Sequence, residues 1–156
     1  LEYSFKPLRR KDRAIDEAEA LKILSESAYG VLCSFDGFYP IGVPVNYVYE
    51  DGFIYVHSAK EGNKIECIKR CDRVCFVVVG NCQVVPQEFS TRYESVIVFG
   101  RARILSEKQA VEPLRKIAKK YCPEYLQEAE RIIEESLQSV VVIEIKIEHL
   151  QGKARR

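Results

Sequence analysis

Between Ile41 and Tyr49 apolar side chains alternate with small or polar ones. Ile41, Val43, Val45, Tyr47 and Tyr49 share one face, and Gly42, Pro44, Asn46 and Val48 the other. A period of two is that of a β-strand with one face in the core. Pro44 cannot donate to a sheet ladder, which puts this strand at an edge or an irregularity. Residues 31–35 read as its partner, joined by the hairpin turn Asp36-Gly37, and Asp51-Gly52 turns the chain again into a strand over residues 53–57. The continuous apolar run 73–80 predicts a central strand. Residues 93–105 predict a long one, with Val96, Val98, Gly100, Ala102 and Ile104 inward. Residues 140–147 give the last strand, while 81–92 read as loop and the residues from His149 onward as a tail.

Helical spacing takes over elsewhere. Asp16 followed by Glu19 has capping-box form ahead of Leu21, Leu24 and Ala28, with Gly30 as the stop. Ser58-Ala59-Lys60-Glu61 has the same form and predicts a helix to about Arg70, with Ile65 and Ile68 inward. Ser106 and Gln109 cap a third helix, with Leu114, Ile117 and Tyr121 on its apolar side and Pro113 inside it. Pro123, as a first-turn residue, opens a fourth with Leu126, Ala129, Ile133 and Leu137 inward. Hairpin-linked strands with helices between them predict a mainly β, α+β fold: a small antiparallel barrel with packed helices. No G-x-G-x-x-G turn follows a strand, which argues against a doubly wound sheet. The division expected is a basic, irregular arm over residues 1–15 and a single domain over 16–156.

Composition narrows the partners. The chain has 156 residues, of which 47% are hydrophobic and 30% charged, so one domain can bury a sizeable core. The net charge of +1 gives no steering toward nucleic acid. Basic residues gather at the ends (Lys6, Arg9, Arg10, Lys11 and Arg13, then Lys153, Arg155 and Arg156), where solvated tails account for them. No apolar run reaches the ~18 residues of a membrane span. Cys33 and Cys75 sit in apolar strand patterns and read as small hydrophobes. Cys67, Cys71 and Cys75 lack the paired C-x-x-C of a zinc site. A reducing, cytoplasmic setting without a structural metal is the expectation.

Candidate chemistry concentrates between Pro44 and Lys64. Two strands deliver polar residues to the start of a helix whose free N–H groups suit a phosphate, and Lys64 adds a full charge there. Gly62 is a poor helix former but lets a ligand approach the backbone closely. Acid–base machinery is sparse. His57 and His149 form no H-x-x-x-H pair, and neither a G-x-S-x-G elbow nor a P-loop is present. His57 is the one candidate for catalytic proton transfer, so any redox chemistry has to come from a bound cofactor.

Pro44-Val45-Asn46-Tyr47, His57-Ser58-Ala59-Lys60-Glu61-Gly62-Asn63-Lys64 and Thr91-Arg92-Tyr93-Glu94-Ser95-Val96, in this order, resemble the FMN-binding split barrels related to pyridoxamine 5′-phosphate oxidase. Within that group they are most similar to the nitroimidazole-resistance, Nim-type branch. The resemblance spans roughly residues 9–155. It implies a homodimer of split β-barrels with FMN in two clefts at the subunit interface. Pro44, Val45 and Asn46 would lie along the isoalloxazine, and His57 and Ser58 near the ribityl phosphate. Lys64, in company with Ser58 and Gly62, would pair with the phosphate, and Tyr93 and Ser95 would contribute from the partner subunit. Gly152-Lys153-Ala154-Arg155-Arg156 does not reproduce the arginine-rich motif by which the oxidase itself recognises substrate, which speaks against vitamin B6 oxidation.

The resemblance therefore implies an FMN-dependent oxidoreductase. A reduced nicotinamide or another small-molecule donor would load the flavin, which would reduce a small planar acceptor such as a nitroaromatic. The alternatives are a non-catalytic flavin-binding module and a haem-binding split barrel with His57 or His149 on the iron.

Overall fold

The computed structural model describes residues 3–156. In chain order the elements are α1 (Glu17–Glu26), β1 (Gly30–Phe35), β2 (Pro40–Val45), β3 (Val48–Glu50), β4 (Phe53–Ala59), α2 (Asn63–Arg70), β5 (Arg73–Val85), β6 (Ser90–Ile104), α3 (Glu107–Tyr121), α4 (Leu126–Ser136) and β7 (Val140–Arg155). Every strand pairing is antiparallel, and the sheet order is β2-β1-β5-β6-β7-β4-β3. The two edges, β2 and β3, are consecutive in the chain and separated only by Asn46 and Tyr47. Three residue steps reach no more than ~11 Å. Opposite edges of the sheet are therefore held that close, and the sheet curls into a barrel with a seam. This is the antiparallel α+β split barrel expected.

Tyr47 pins the seam. It is fully buried, its hydroxyl donates to the Leu24 carbonyl of α1, and its ring meets Phe76 edge-on at 4.8 Å. Around it the barrel interior is filled by Ile54, Val56, Val96, Val98, Ile143 and Ile145. α1 closes one end with Ala20, Ile23 and Leu24, and the Asp16 carboxylate caps it by accepting the Glu19 N–H at 2.8 Å. α3 and α4 cover the outer face of β4 and β7 through Ala110, Leu114 and Ile133 against Val142. The Ser106–Gln109 capping box at the head of α3 is formed in both directions. Among the described residues no helix is long and apolar enough to cross a membrane.

Several expectations need correction. The strand over residues 41–49 keeps its alternation, with Gly42, Pro44 and Asn46 exposed and Tyr47 buried, but it is two strands on opposite edges. Periodicity reports which way side chains point and is silent about which neighbour a strand pairs with. The turn before it spans Asp36 to Tyr39, with the Asp36 carboxylate accepting the Phe38 and Tyr39 N–H groups. α1 ends at Glu26, so Ala28 and Gly30 lie outside it, and Gly30 opens β1. Ser58 caps no helix; it belongs to β4, opposite Val141. α2 starts at Asn63 after Gly62, because pairing with β7 satisfies the backbone through Ala59 and Gly62, at φ 127°, then makes the bend.

The loop 81–92 is instead a hairpin. β5 and β6 run on past a register shift between Val79 and Cys82 and turn through Pro86–Glu88 and a left-handed Phe89. Solvent on both sides removed the one-sided apolar pattern that marks a strand. The tail is likewise the second half of β7, paired with β6 out to Arg155. Pro123 precedes α4, and Leu126 is 44% exposed, so Ile133 is the buried anchor of that helix. The described part of the basic arm packs against the domain. Gln151 donates to the Lys6 carbonyl at 2.5 Å, Phe5 stacks on His149 at 4.5 Å, and Ala14 bridges to Lys153.

Candidate functional site

The crossover builds a cleft. Val48 pairs with Tyr55 on β4; extending that register by two residues sets Asn46 beside His57, both on the outer face. Pro44, Val45, Asn46 and His57 line one shallow cleft of about 380 Å³, with Tyr29 as its far wall. Pro44 sits on an edge strand, where its missing N–H costs no ladder bond. The edge expectation thus holds.

The knot behind this cleft comes from α3. The Tyr121 hydroxyl accepts the Tyr47 N–H at 3.0 Å, and it lies 2.7 Å from the Ala28 carbonyl to which it donates. Lys120 Nζ donates to the Ser27 carbonyl at 2.8 Å and lies 4.0 Å from the centre of the Tyr47 ring. Burial pushes the Lys120 ammonium down to about 8. Burial also raises the Tyr47 and Tyr121 phenols above their ordinary value, so both stay protonated as donors. Together they fix the residues on either side of the seam, Ala28 next to Tyr29 and Tyr47 next to Asn46.

Ser58 is turned the other way. It is 7% exposed and lies on the inner face of β4 with Ile54 and Val56, while His57 looks outward. Downstream, Gly62 gives α2 a start with no side-chain cap, leaving the first-turn N–H groups of Asn63 and Lys64 outside the helix ladder. A Cβ on Gly62 would meet nothing within 4 Å, so the approach to this helix start is open. Lys64 is half-buried and has no carboxylate partner among the described residues. Lys64 and Gly62 are not among the residues lining the Asn46 cleft, which they follow in the chain by the short loop after β4.

Tyr93 and Ser95 lie apart from that cleft within one chain. Tyr93 lines a second cleft of about 300 Å³ with Asn81, Gln83, Arg92, Arg155 and Arg156. The Arg13 guanidinium donates to its hydroxyl at 3.4 Å and, with the charge of Lys153, holds this phenol below its ordinary value. Ser95 faces Lys153 across the β6–β7 ladder. Tyr29 and Lys120 escaped the sequence reading, which placed Tyr121 only on the apolar side of its helix. Their roles depend on β2 and β3 lying on opposite edges, and no local pattern encodes that. Among the described residues the buried Nε2 of His149 has no hydrogen-bond partner, and its ring stacks on Phe5.

The first cleft offers an apolar edge, an amide and an imidazole, with a cation and free helix N–H groups downstream. That is equipment for holding a flat, polar-edged, anionic molecule. No paired acid and base lines it.

The sequence profile described as pyridoxamine 5′-phosphate oxidase matches residues 16–154. No curated protein matches significantly. Among solved structures, a candidate 5-nitroimidazole antibiotic resistance protein from Bacteroides thetaiotaomicron is 23% identical, with 90% of this chain and 86% of that one covered and a TM-score of 0.73. The flavocytochrome Anf3 from Azotobacter vinelandii is 18% identical, over 96% of this chain and 72% of that one, at a TM-score of 0.83. An FAD-binding protein from Mesorhizobium loti is 25% identical over 92% and 98%, at 0.66. With the profile covering all but the arm and the last two residues, the chain belongs to the pyridoxamine 5′-phosphate oxidase family that the profile describes.

Proposed function

We propose that the Pro44–Asn46 cleft holds FMN and that the protein is a flavin-dependent oxidoreductase of the nitroimidazole-resistance, Nim-type kind. The observation that carries this is the conjunction at the seam: exposed Pro44 and Asn46, with half-buried Val45 between them, in one cleft with His57, followed by an uncapped helix start bearing Lys64. The residues fit the group. Pro44 and Val45 give a flat apolar support, and Asn46 gives a donor and an acceptor for a heterocycle edge. The open backbone at Gly62, the free N–H groups of α2 and Lys64 suit a phosphate. When bound, flavin supplies two-electron chemistry that the side chains lack. In this reading Asn46 and His57 orient the ring, Pro44 and Val45 keep water from one side of it, and Lys64 retains the phosphate.

A second copy of the chain completes the site. Tyr93 lines a different cleft of the same protomer and Ser95 follows two residues on along β6, so in this reading both reach the ring from a partner, as in a homodimer. The same arrangement gives the exposed Val84 and the 99% exposed Phe89 at the β5–β6 hairpin tip something to pack on. A reduced-nicotinamide donor and a small planar acceptor such as a nitroaromatic are the substrates proposed, in the cytoplasm. The similar structures described by their flavins support the cofactor class.

The test is a visible absorption spectrum of the purified protein, followed by denaturation and mass identification of the released chromophore. Released FMN, with donor-dependent reduction of a nitroimidazole, supports the reading. Bound flavin without turnover on any donor and acceptor makes the protein a binding module. A colourless protein that refuses added FMN and gives a Soret band with haem overturns the proposal in favour of a haem site, for which the unpartnered His149 Nε2 is the first ligand to examine.

A further inference from the structure

A hollow of about 750 Å³ opens on the outer face of β1, β5 and β6, away from the Asn46 cleft, with Cys33 and Cys75 in its wall. The antiparallel β1–β5 register sets these two cysteines directly opposite each other. Both point out of the core. Their neighbours Leu32, Ser34, Val74 and Phe76 are buried, whereas Cys33 and Cys75 are half-exposed. This corrects the reading of them as core hydrophobes. Directly opposed residues in an antiparallel pair have Cα atoms about 4.5 or 5.5 Å apart. Either spacing lies inside the roughly 4.4–6.8 Å window that a disulfide requires. Both thiols are free, and the Cys33 thiol donates to the Val31 carbonyl at 3.9 Å.

We propose that Cys33 and Cys75 form a redox-active cross-strand dithiol, which a low-molecular-weight disulfide of the glutathione type oxidises to an intramolecular bridge between β1 and β5. The exchange runs in two steps. The Cys33 thiolate attacks one sulfur of the oxidant, whose S–S bond breaks and releases one thiol. The Cys75 thiolate then attacks the Cys33 sulfur of the mixed disulfide and expels the second. The chain loses two electrons, the oxidant gains them, and the two protons leave on the two small thiols.

Burial pushes the Cys33 thiol above its ordinary value. Burial and the neighbouring sulfur push Cys75 up to about 11. Exchange is therefore slow at neutral pH and accelerates as thiolate forms. The bridge is well placed to matter. Cys33 faces Gly42 of β2, which is two residues from Pro44 on the same exposed side. Closing it ties down the strand next to the one that carries the cleft.

The experiment uses the full-length chain in buffers of oxidised and reduced glutathione at pH 8, quenched with iodoacetamide, digested and mapped by mass spectrometry. The expected result is a linked pair of peptides containing Cys33 and Cys75, in a chain that has lost 2 Da and formed no intermolecular link. The bridging rate should rise about tenfold from pH 7 to pH 8. The bridge should vanish in Cys33→Ser and survive in a Cys82→Ser/Cys122→Ser double variant. If Cys33 and Cys75 both remain fully alkylatable after unfolding while Cys82 or Cys122 carries glutathione, the proposal is wrong. A bridge that appears only in denaturant overturns it equally.

Discussion

Replacing Tyr121 by Phe removes a single oxygen from the knot that holds the barrel seam. That oxygen accepts the Tyr47 N–H at 3.0 Å and donates to the Ala28 carbonyl at 2.7 Å. Tyr47 is fully buried, so its N–H has no water to turn to. Stranding a buried donor costs ~1–3 kcal/mol, and losing the second bond a further ~0.5–1.5 kcal/mol. The phenyl ring still fills its place, so no cavity term is added. The expected loss is ~2–4 kcal/mol. At ~2–4 °C per kcal/mol for a domain of this size, the melting temperature should fall by ~5–15 °C. Thermal unfolding followed by circular dichroism, with a urea titration beside it, measures both quantities. Tyr125→Phe, at an exposed tyrosine, should change neither. A Tyr121→Phe variant melting within about 1 °C of the parent would show that the seam is held by packing alone, and the argument would fail.

Lys64→Ala should weaken FMN retention by about tenfold or more without lowering thermal stability, as loss of one charge-assisted phosphate contact predicts; equal FMN affinity in a fluorescence titration would remove Lys64 from the phosphate site. Gly100→Ala should destabilise by ~1–3 kcal/mol in urea titration, since an added Cβ would sit 2.3 Å from the Lys146 carbonyl oxygen, a backbone atom that cannot swing aside. Lys120 gives a pH prediction. Its folded pKa, about 8, lies below the unfolded value, so the unfolded chain binds more protons above pH 8 and this residue's contribution makes stability rise from there toward ~10.4. The raised thiols of Cys33 and Cys75 push the opposite way, so the test compares the parent with Lys120→Met from pH 7 to 9.5; parallel curves would refute it.

What could be read from the sequence was what local physics dictates. Alternation set the inward faces of β2 and β6, and Ser106 with Gln109 set the start of α3. Pro44 announced an edge. The misses share one cause. Whether residues 46 and 47 continue a ladder or cross between edges is decided by Tyr47 reaching α1 and α3, contacts 23 and 74 positions away. The β5–β6 hairpin and the end of β7 are strands because they pair with each other's neighbours, although solvent on both sides erases their apolar signature. For the site, Pro44 and Asn46 were legible as outward-facing groups in a short span that also holds Val45 and His57. Tyr29 was not, because it arrives from another element. Ser58 misled because the S-x-x-E pattern of a helix cap also fits the end of a strand followed by a polar turn.

The position of β7 carries a consequence for synthesis. It is made after the other six strands, yet in space it lies between β6 and β4. While residues 140–155 are still inside the ribosome, β3–β4 and β2-β1-β5-β6 are two half-sheets with no ladder in common. Ile54 and Val56 on one, and Val96 and Val98 on the other, have no completed interior to enter. The nascent chain therefore keeps these apolar faces open until β7 emerges. Closure is a single late event in which sixteen residues zip both halves at once.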